Sequence, residues 1–320
     1  RKEIAREIKQ TVNYKYERVK TIIKKILIVS IPIALTAIMS SLNKNIDSFT
    51  VVRSLKEFMP EDMAIAQYGI LGGKVDTLTS LPLSINVAFS TALVPAISAA
   101  KAKKDKETIT KKTSFSLLVS MLIGLPCTVG MFVFAGPILN LLFPNASSGA
   151  VVLQISSLTI LFTILDQTIN GALQGYGKLT IPAIALGCGV IVKLICNLIL
   201  VPIPSIGVNG AAIGSVACHL VAFTIVMTAL RRNIKLNLTA SKFVVKPVIA
   251  TAIMGICSYF IYESILSSVG MKIATIIAIL AAILIYAIAV IVLKIFKKEE
   301  ILQMPAGNKL YKILEKLKIY

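Results

Sequence analysis

Seven polar side chains stand inside or at the edges of long apolar runs: Asn43, Asp47, Asp76, Asp166, Asn170, Lys193 and Asn197. Ionisable groups in such positions are costly and mark binding or transport sites. Lys193, in "VIVKLICNLIL", lies about 21 Å along its helix from Leu179 at a rise of about 1.5 Å per residue, too deep to reach the inner surface easily. Asn197, four residues on, shares its face. A cation backed by an amide can hold an anionic substrate group. The same Lys can instead pair with a carboxylate or with carbonyl oxygens on a neighbouring helix.

In "FTILDQTINGALQG", Thr163, Asp166, Asn170 and Gln174 recur at helical spacing. One polar stripe on an apolar helix reads as the lining of a cavity, or Asp166 is a salt-bridge partner between helices. His219, about 12 Å into its run by rise, reads as a neutral hydrogen-bonded residue or as a proton relay. It is the only His, so a multi-His metal site is excluded. Lys74 and Asp76 border a run from outside, where Asp76 can cap a helix. In "IMSSLNKNIDSFTVV" (38–52), Met39, Leu42, Ile46 and Phe49 form one stripe and Ser40, Asn43, Lys44, Asp47 and Thr50 the other. The helix therefore continues and becomes one-sided, with Lys44 and Arg53 as the cations nearest Asp47 in sequence. Catalytic patterns such as HExxH, GxSxG or a phosphate-binding loop do not occur, so no enzyme chemistry and no cofactor is indicated.

The elements that position these residues are apolar spans. Mean hydropathy is +0.83, with 56% hydrophobic and 15% charged residues. Eight runs, 25–45, 75–98, 114–134, 151–172, 179–201, 211–230, 246–266 and 273–293, are long enough to cross the hydrocarbon core of a bilayer. The expected fold class is an all-α integral membrane bundle of about eight helices. Of 34 Lys and Arg, 28 fall in segments on the side of residue 1 and five on the other. That asymmetry places both termini in the cytoplasm and gives the chain affinity for anionic membrane lipids. Basic residues interleaved with stacking aromatics are absent, which argues against nucleic acid as a partner.

Residues 1–24 and the tail 301–320 read as basic amphipathic interfacial helices. The five cysteines lie within spans without CxxC spacing and read as packing residues. Pro32, Pro82, Pro126 and Pro182 kink spans of the kind that line transport routes. Gly210, Gly214 and Cys218 form a small-residue face for close helix packing. The long connections are 43–74 outside and the basic "KAKKDKETITKK" (101–112) inside.

"SLNKNIDSFTV" (41–51), "STALVPAISAAKAKKD" (90–105) and 171–220 resemble the multidrug/oligosaccharidyl-lipid/polysaccharide flippase superfamily. Within it the chain is most similar to the stage V sporulation protein B and MurJ-like lipid II flippase branch. The most specific mark is "GYGK" (175–178) before one span and "IPSIGVNGAAIGS" (203–215) before the next. The resemblance covers roughly 1–295. It implies a linker helix over 1–24, the second six-helix lobe over 25–230, two extra helices over 231–300 and the tail over 301–320. The Arg start fits a fragment lacking the first lobe of the same protein. MurJ-like members carry an Arg after an Asp ahead of the proline of the second span; here "KVDTLTSLP" has Asp76 followed by Thr77, and Lys74 offers a substitute charge.

The resemblance thus implies a flippase for an undecaprenyl-pyrophosphate-linked saccharide, a lipid II or polysaccharide precursor for cell wall or spore cortex. Lys193 and Asn197 would hold the pyrophosphate, while Asn43, Asp47, Asp76, Asp166 and Asn170 line the cavity. The alternative is a cation-coupled drug or metabolite antiporter of the same superfamily. A scaffold that recruits cell-wall enzymes fits less well, having no need of the polar stripes.

Overall fold

The computed structural model describes residues 18–296 and 300. The tail 301–320 lies outside this range, as does the amphipathic stretch 1–24 up to residue 17. All regular structure among the described residues is helical: α1 (Val19–Leu55), α2 (Glu61–Gly69), α3 (Asp76–Ala102), α4 (Lys106–Val133), α5 (Ala135–Leu142), α6 (Ala150–Gly175), α7 (Thr180–Leu200), α8 (Val208–Asn233) and α9 (Lys246–Val292). Single π-helical segments, Ile70–Val75 and Ser241–Val245, join α2 to α3 and lead into α9. With no water in the hydrocarbon core, helices satisfy their own backbone groups, which is why the apolar runs take this form.

Seven helical segments are long and apolar enough to cross a membrane. The last, Ser241–Val292, accounts for two crossings: Gly270 interrupts α9 at φ 76° and ψ 161°. The Lys246 Nζ donates to the Leu293 carbonyl at 2.7 Å, and Tyr262 packs with Ala274 and Ala278. The halves of α9 are therefore an antiparallel pair, and the described residues form the expected all-α bundle of about eight spans.

The core of the bundle is α3, α4, α6, α7 and α8, with α6 central: α3, α4 and α8 all pack on it. One apolar cluster joins these helices through Ile97, Leu117, Ile169, Leu173 and Val226. A second, near the other end, gathers Val51, Leu55, Leu71, Leu139, Leu153 and Val208. The small-residue face of α8 closes on α7 as expected. A Cβ on Gly214 would stand 2.7 Å from Asn197 Oδ1, and one on Gly189 of α7 would stand 2.6 Å from the Cys218 carbonyl. Only the missing side chains allow this approach.

Two expectations need correction. The segment 43–74 is mostly helix: α1 runs to Leu55 and a new helix begins at Glu61. Asp76 does not cap a helix, because the chain enters α3 directly from the π segment and Asp76 makes no capping hydrogen bond. Gly72 and Gly73 before Asp76 suggest a start, but the preceding turns are carried by packing, with Leu71 and Val75 buried among α1, α5 and α6.

At Gly270 an L-residue would meet the backbone penalty of a positive φ, about 1–3 kcal/mol. Gly270→Ala is expected to lower the thermal unfolding midpoint in detergent. Gly69→Ala, at a helical position with nothing within 4 Å of its added Cβ, should leave it unchanged. Thermal scans of both variants check this.

Candidate functional site

Proline at position 32 removes a backbone donor from α1, leaving the Ile28 carbonyl without its helical partner, and one turn on Thr36 Oγ1 donates to the Pro32 carbonyl at 3.0 Å. From 19 to 42 the only buried residue of α1 is Pro32; large side chains such as Ile28, Ile31 and Ile38 are exposed and would face hydrocarbon. Beyond this point the helix turns its polar face onto α7. Asn43, Asp47 and Thr50, at three- and four-residue steps, meet Lys193 and Asn197, also one turn apart.

Lys193 Nζ lies 2.6 Å from Asp47 Oδ2 and donates to the Asn43 carbonyl oxygen at 2.9 Å. Asn197 Nδ2 donates to Asp47 Oδ1 and to Thr50 Oγ1, both at 2.9 Å. Cys218 Sγ of α8 approaches Asn43 Oδ1 at 3.5 Å. Lys193 and Asp47 are 3% and 5% exposed and Asn197 is 0% exposed, so the charges are held inside the protein. The partner of Asp47 is therefore neither Lys44 nor Arg53 but a lysine on another helix. Lys193 is likewise committed to a carboxylate and a carbonyl in this conformation. The Asn197 Oδ1 remains buried without a hydrogen-bond partner.

Asp76 is exposed, and Asp47, Lys193 and Lys44 lie within electrostatic reach of it. Asn43, Asp47, Asp76, Lys193 and Asn197 thus belong to one region. Lys74 does not stand in for a charge beside Asp76: its Nζ donates to the Ala146 carbonyl at 2.5 Å and sits 5.7 Å over the Phe143 ring. Thr77 is occupied locally, donating to the Gly73 carbonyl at 2.7 Å.

Asp166 and Asn170 form a second locus on α6. Asn170 Nδ2 donates to Asp166 Oδ2 at 3.1 Å, and no ion pair to Asp166 occurs among the described residues. Asp166 Oδ1, Asn170 Oδ1 and His219 Nδ1 are buried without hydrogen-bond partners. Among the described residues the salt-bridge alternative for Asp166 is not realised, and His219 is not satisfied at Nδ1.

One network was absent from the expectations. Asn86 of α3, 0% exposed, donates to the Ile164 carbonyl at 2.9 Å and Gln167 Oε1 at 3.1 Å, and accepts from Ser120 Oγ at 2.9 Å. Ser120 Oγ and Thr168 Oγ1 are 2.6 Å apart. This web ties α3, α4 and α6 together. A lone Asn in "SLPLSINVAFS" was its signal; the neutral partners carry none individually.

The family model of the lipid II flippase MurJ matches residues 2–280. The Bacillus subtilis uncharacterized membrane protein YabM is 29% identical over 306 residues, covering 93% of this chain and 56% of that protein. Stage V sporulation protein B of B. subtilis is 30% identical over 253 residues, covering 77% of this chain and 47% of its own length. The chain thus spans about half the length of these relatives. A solved structure of MurJ in an inward closed conformation superposes with a TM-score of 0.63 at 17% identity, covering 90% of this chain and 58% of that one. At that identity the likeness establishes the fold alone.

Removing one member of a buried ion pair strands the other, at a cost of about 3–5 kcal/mol. Lys193→Met is expected to destabilise by this order, and Lys193→Met/Asp47→Leu to recover most of the loss. A double-mutant cycle read by thermal unfolding measures the coupling.

Proposed function

Because the chain belongs to the MurJ family of lipid II flippases, we propose that it is the cavity-bearing part of a transporter for a saccharide linked to undecaprenyl pyrophosphate. The cargo is a lipid II or polysaccharide precursor for cell wall or spore cortex, carried to the outer leaflet by alternating access. The parts follow the same plan: a linker over 1–24, a six-helix lobe over 25–230, two further helices over 231–300 and a basic tail over 301–320. Both termini face the cytoplasm, which the 28-to-5 division of Lys and Arg supports. The same basic side binds anionic membrane lipids. The partner for rocking is a first lobe of the same protein.

The observation that carries this reading is the internal ammonium of Lys193. A transporter of a pyrophosphate needs a cation that is desolvated yet exchangeable. Lys193 sits 2.6 Å from Asp47 with Asn197 on the same carboxylate. A pyrophosphate oxygen replaces Asp47 as the partner of Lys193, and Asn197 follows with its amide. Asp47 and Asn43 then close the site again after release. Asp76, at the exposed edge of the region, and Asp166 and Asn170, deeper on α6, line the route.

The test is complementation of a flippase-depleted strain with the full-length gene, together with appearance of labelled lipid-linked precursor at the outer surface. Lys193→Met/Asp47→Leu is expected to be inserted and folded at near wild-type levels yet to fall at least tenfold in precursor export. Full rescue by this variant would remove Lys193 from the site. Failure of the wild-type gene alongside acquired drug resistance would replace the flippase reading with the antiporter one.

A further inference from the structure

The paired orphan atoms on α6 call for an occupant. Asp166 is 9% exposed, and its Oδ1 and the Oδ1 of Asn170 are each buried without a donor, while the other half of the pair, Asn170 Nδ2 to Asp166 Oδ2, is already bonded at 3.1 Å. An ionised carboxylate in a low-dielectric interior needs a cation or several strong donors. Here it has one neutral amide.

Among the described residues no cation is paired with it. The described ion pairs do not include Asp166, and Lys193 of α7 is held by Asp47. On α3, Asn86 and Ser90 are spent on each other's neighbours, the Ile164 and Gln167 carbonyls among them, and Ser120 of α4 bonds to Asn86. From α8 the Cys218 thiol lies within electrostatic reach of Asp166, and His219 is itself unpartnered at Nδ1. The polar groups named on α3 and α4 are thus engaged elsewhere on α6, and the described groups around Asp166 include no cation paired with it.

A carboxylic acid and a primary amide share a complementary two-bond ring: the amide N–H donates to the carbonyl oxygen of the acid, and the acid O–H donates to the amide oxygen. Two of the four atoms of that ring, Asn170 Nδ2 and Asp166 Oδ2, are already bonded, and the other two are the orphan oxygens. We propose that Asp166 and Asn170 form a proton-binding site, loaded in this conformation, in which one proton on Asp166 Oδ1 satisfies both orphan oxygens. The step is a plain protonation: Oδ1 gains a proton delivered through water, the carboxylate charge is neutralised, and no electrons move. Reversal needs water at the same atom, so the proton leaves when a rearrangement wets this face of α6. The site is distinct from the Lys193 region and does not depend on which cargo is carried.

The experiment is infrared spectroscopy of the full-length protein in lipid nanodiscs at neutral pH, with aspartate carboxyls labelled by carbon-13 and sodium chloride present or omitted. The expected result is a protonated-carboxyl carbonyl band that shifts in heavy water, is lost in Asp166→Asn and moves to higher frequency in Asn170→Ala, where the acid loses its amide partner. Asp166→Asn keeps the shape of the pair, and Asn170→Ala reports on the same bond should the first variant fail to fold. Absence of the band from the wild type at neutral pH overturns the proposal. So does its persistence in Asp166→Asn or its insensitivity to Asn170→Ala. Loss of the band on adding sodium chloride overturns it as well, in favour of a metal cation between the two oxygens. None of these readouts requires transport, so failure here is separable from failure of the flippase reading.

Discussion

A charge in hydrocarbon must find its counter-charge within the protein, and much of this bundle's arrangement follows from where Lys193 finds one. The ammonium is buried inside the protein, so α7 has to present it to a neighbour. The neighbour is α1, whose C-terminal half carries Asn43, Asp47 and Thr50 on one side for that purpose. The register of two helices separated by some 150 residues of chain is thereby fixed, since a shift of either by one turn would leave both charges stranded. Hydrophobic burial alone would not specify it, because in a bilayer the lipid tails are as apolar as the helix faces.

The rest of the interior uses two other devices with the same physical basis. Where α7 and α8 meet, glycines let backbones approach to distances a methyl group would forbid. Where α3, α4 and α6 meet, Asn86, Ser120 and Thr168 satisfy one another in a closed neutral web. A fully partnered web of this kind holds helices rigidly. Amide, carboxylate and imidazole atoms left without partners stand on Asp166, Asn170, Asn197 and His219, and hydroxyls without partners on Thr113 and Thr128 of α4 among others.

Much of this was legible in the sequence, for reasons that differ from residue to residue. The spans were visible because a bilayer demands long apolar runs, and even the turn that divides α9 showed as the gap between 266 and 273. The one-sided character of 38–52 showed in its periodicity, and it proved to be helix through Leu55. The depth of Lys193 and its shared face with Asn197 were simple consequences of helical rise. Its partner was not legible, because periodicity describes one helix and says nothing of which helix lies opposite. The same limit hid the Asn86 web, whose members are common residues spread over three helices. The helix at 61–75 was missed because Gly72 and Gly73 look like a boundary, while Leu71 and Val75 hold the turn through contacts made far away in sequence.

The ionic fastening of α1 to α7 near one end has a mechanical consequence. From Asn43 back to Val19 is about 36 Å of helix at 1.5 Å per residue, and over that length no residue but Pro32 is buried. A helix held ionically at this end, with one buried residue along the remaining length, amplifies rotation: a tilt of about 10° at the clamp sweeps the far tip through roughly 6 Å on a rise of 1.5 Å per residue. The clamp is electrostatic and local, and the arm is stiff except at one proline. Small changes in the separation of two charges near one face of the membrane are thereby read out as large displacements of a greasy rod near the other.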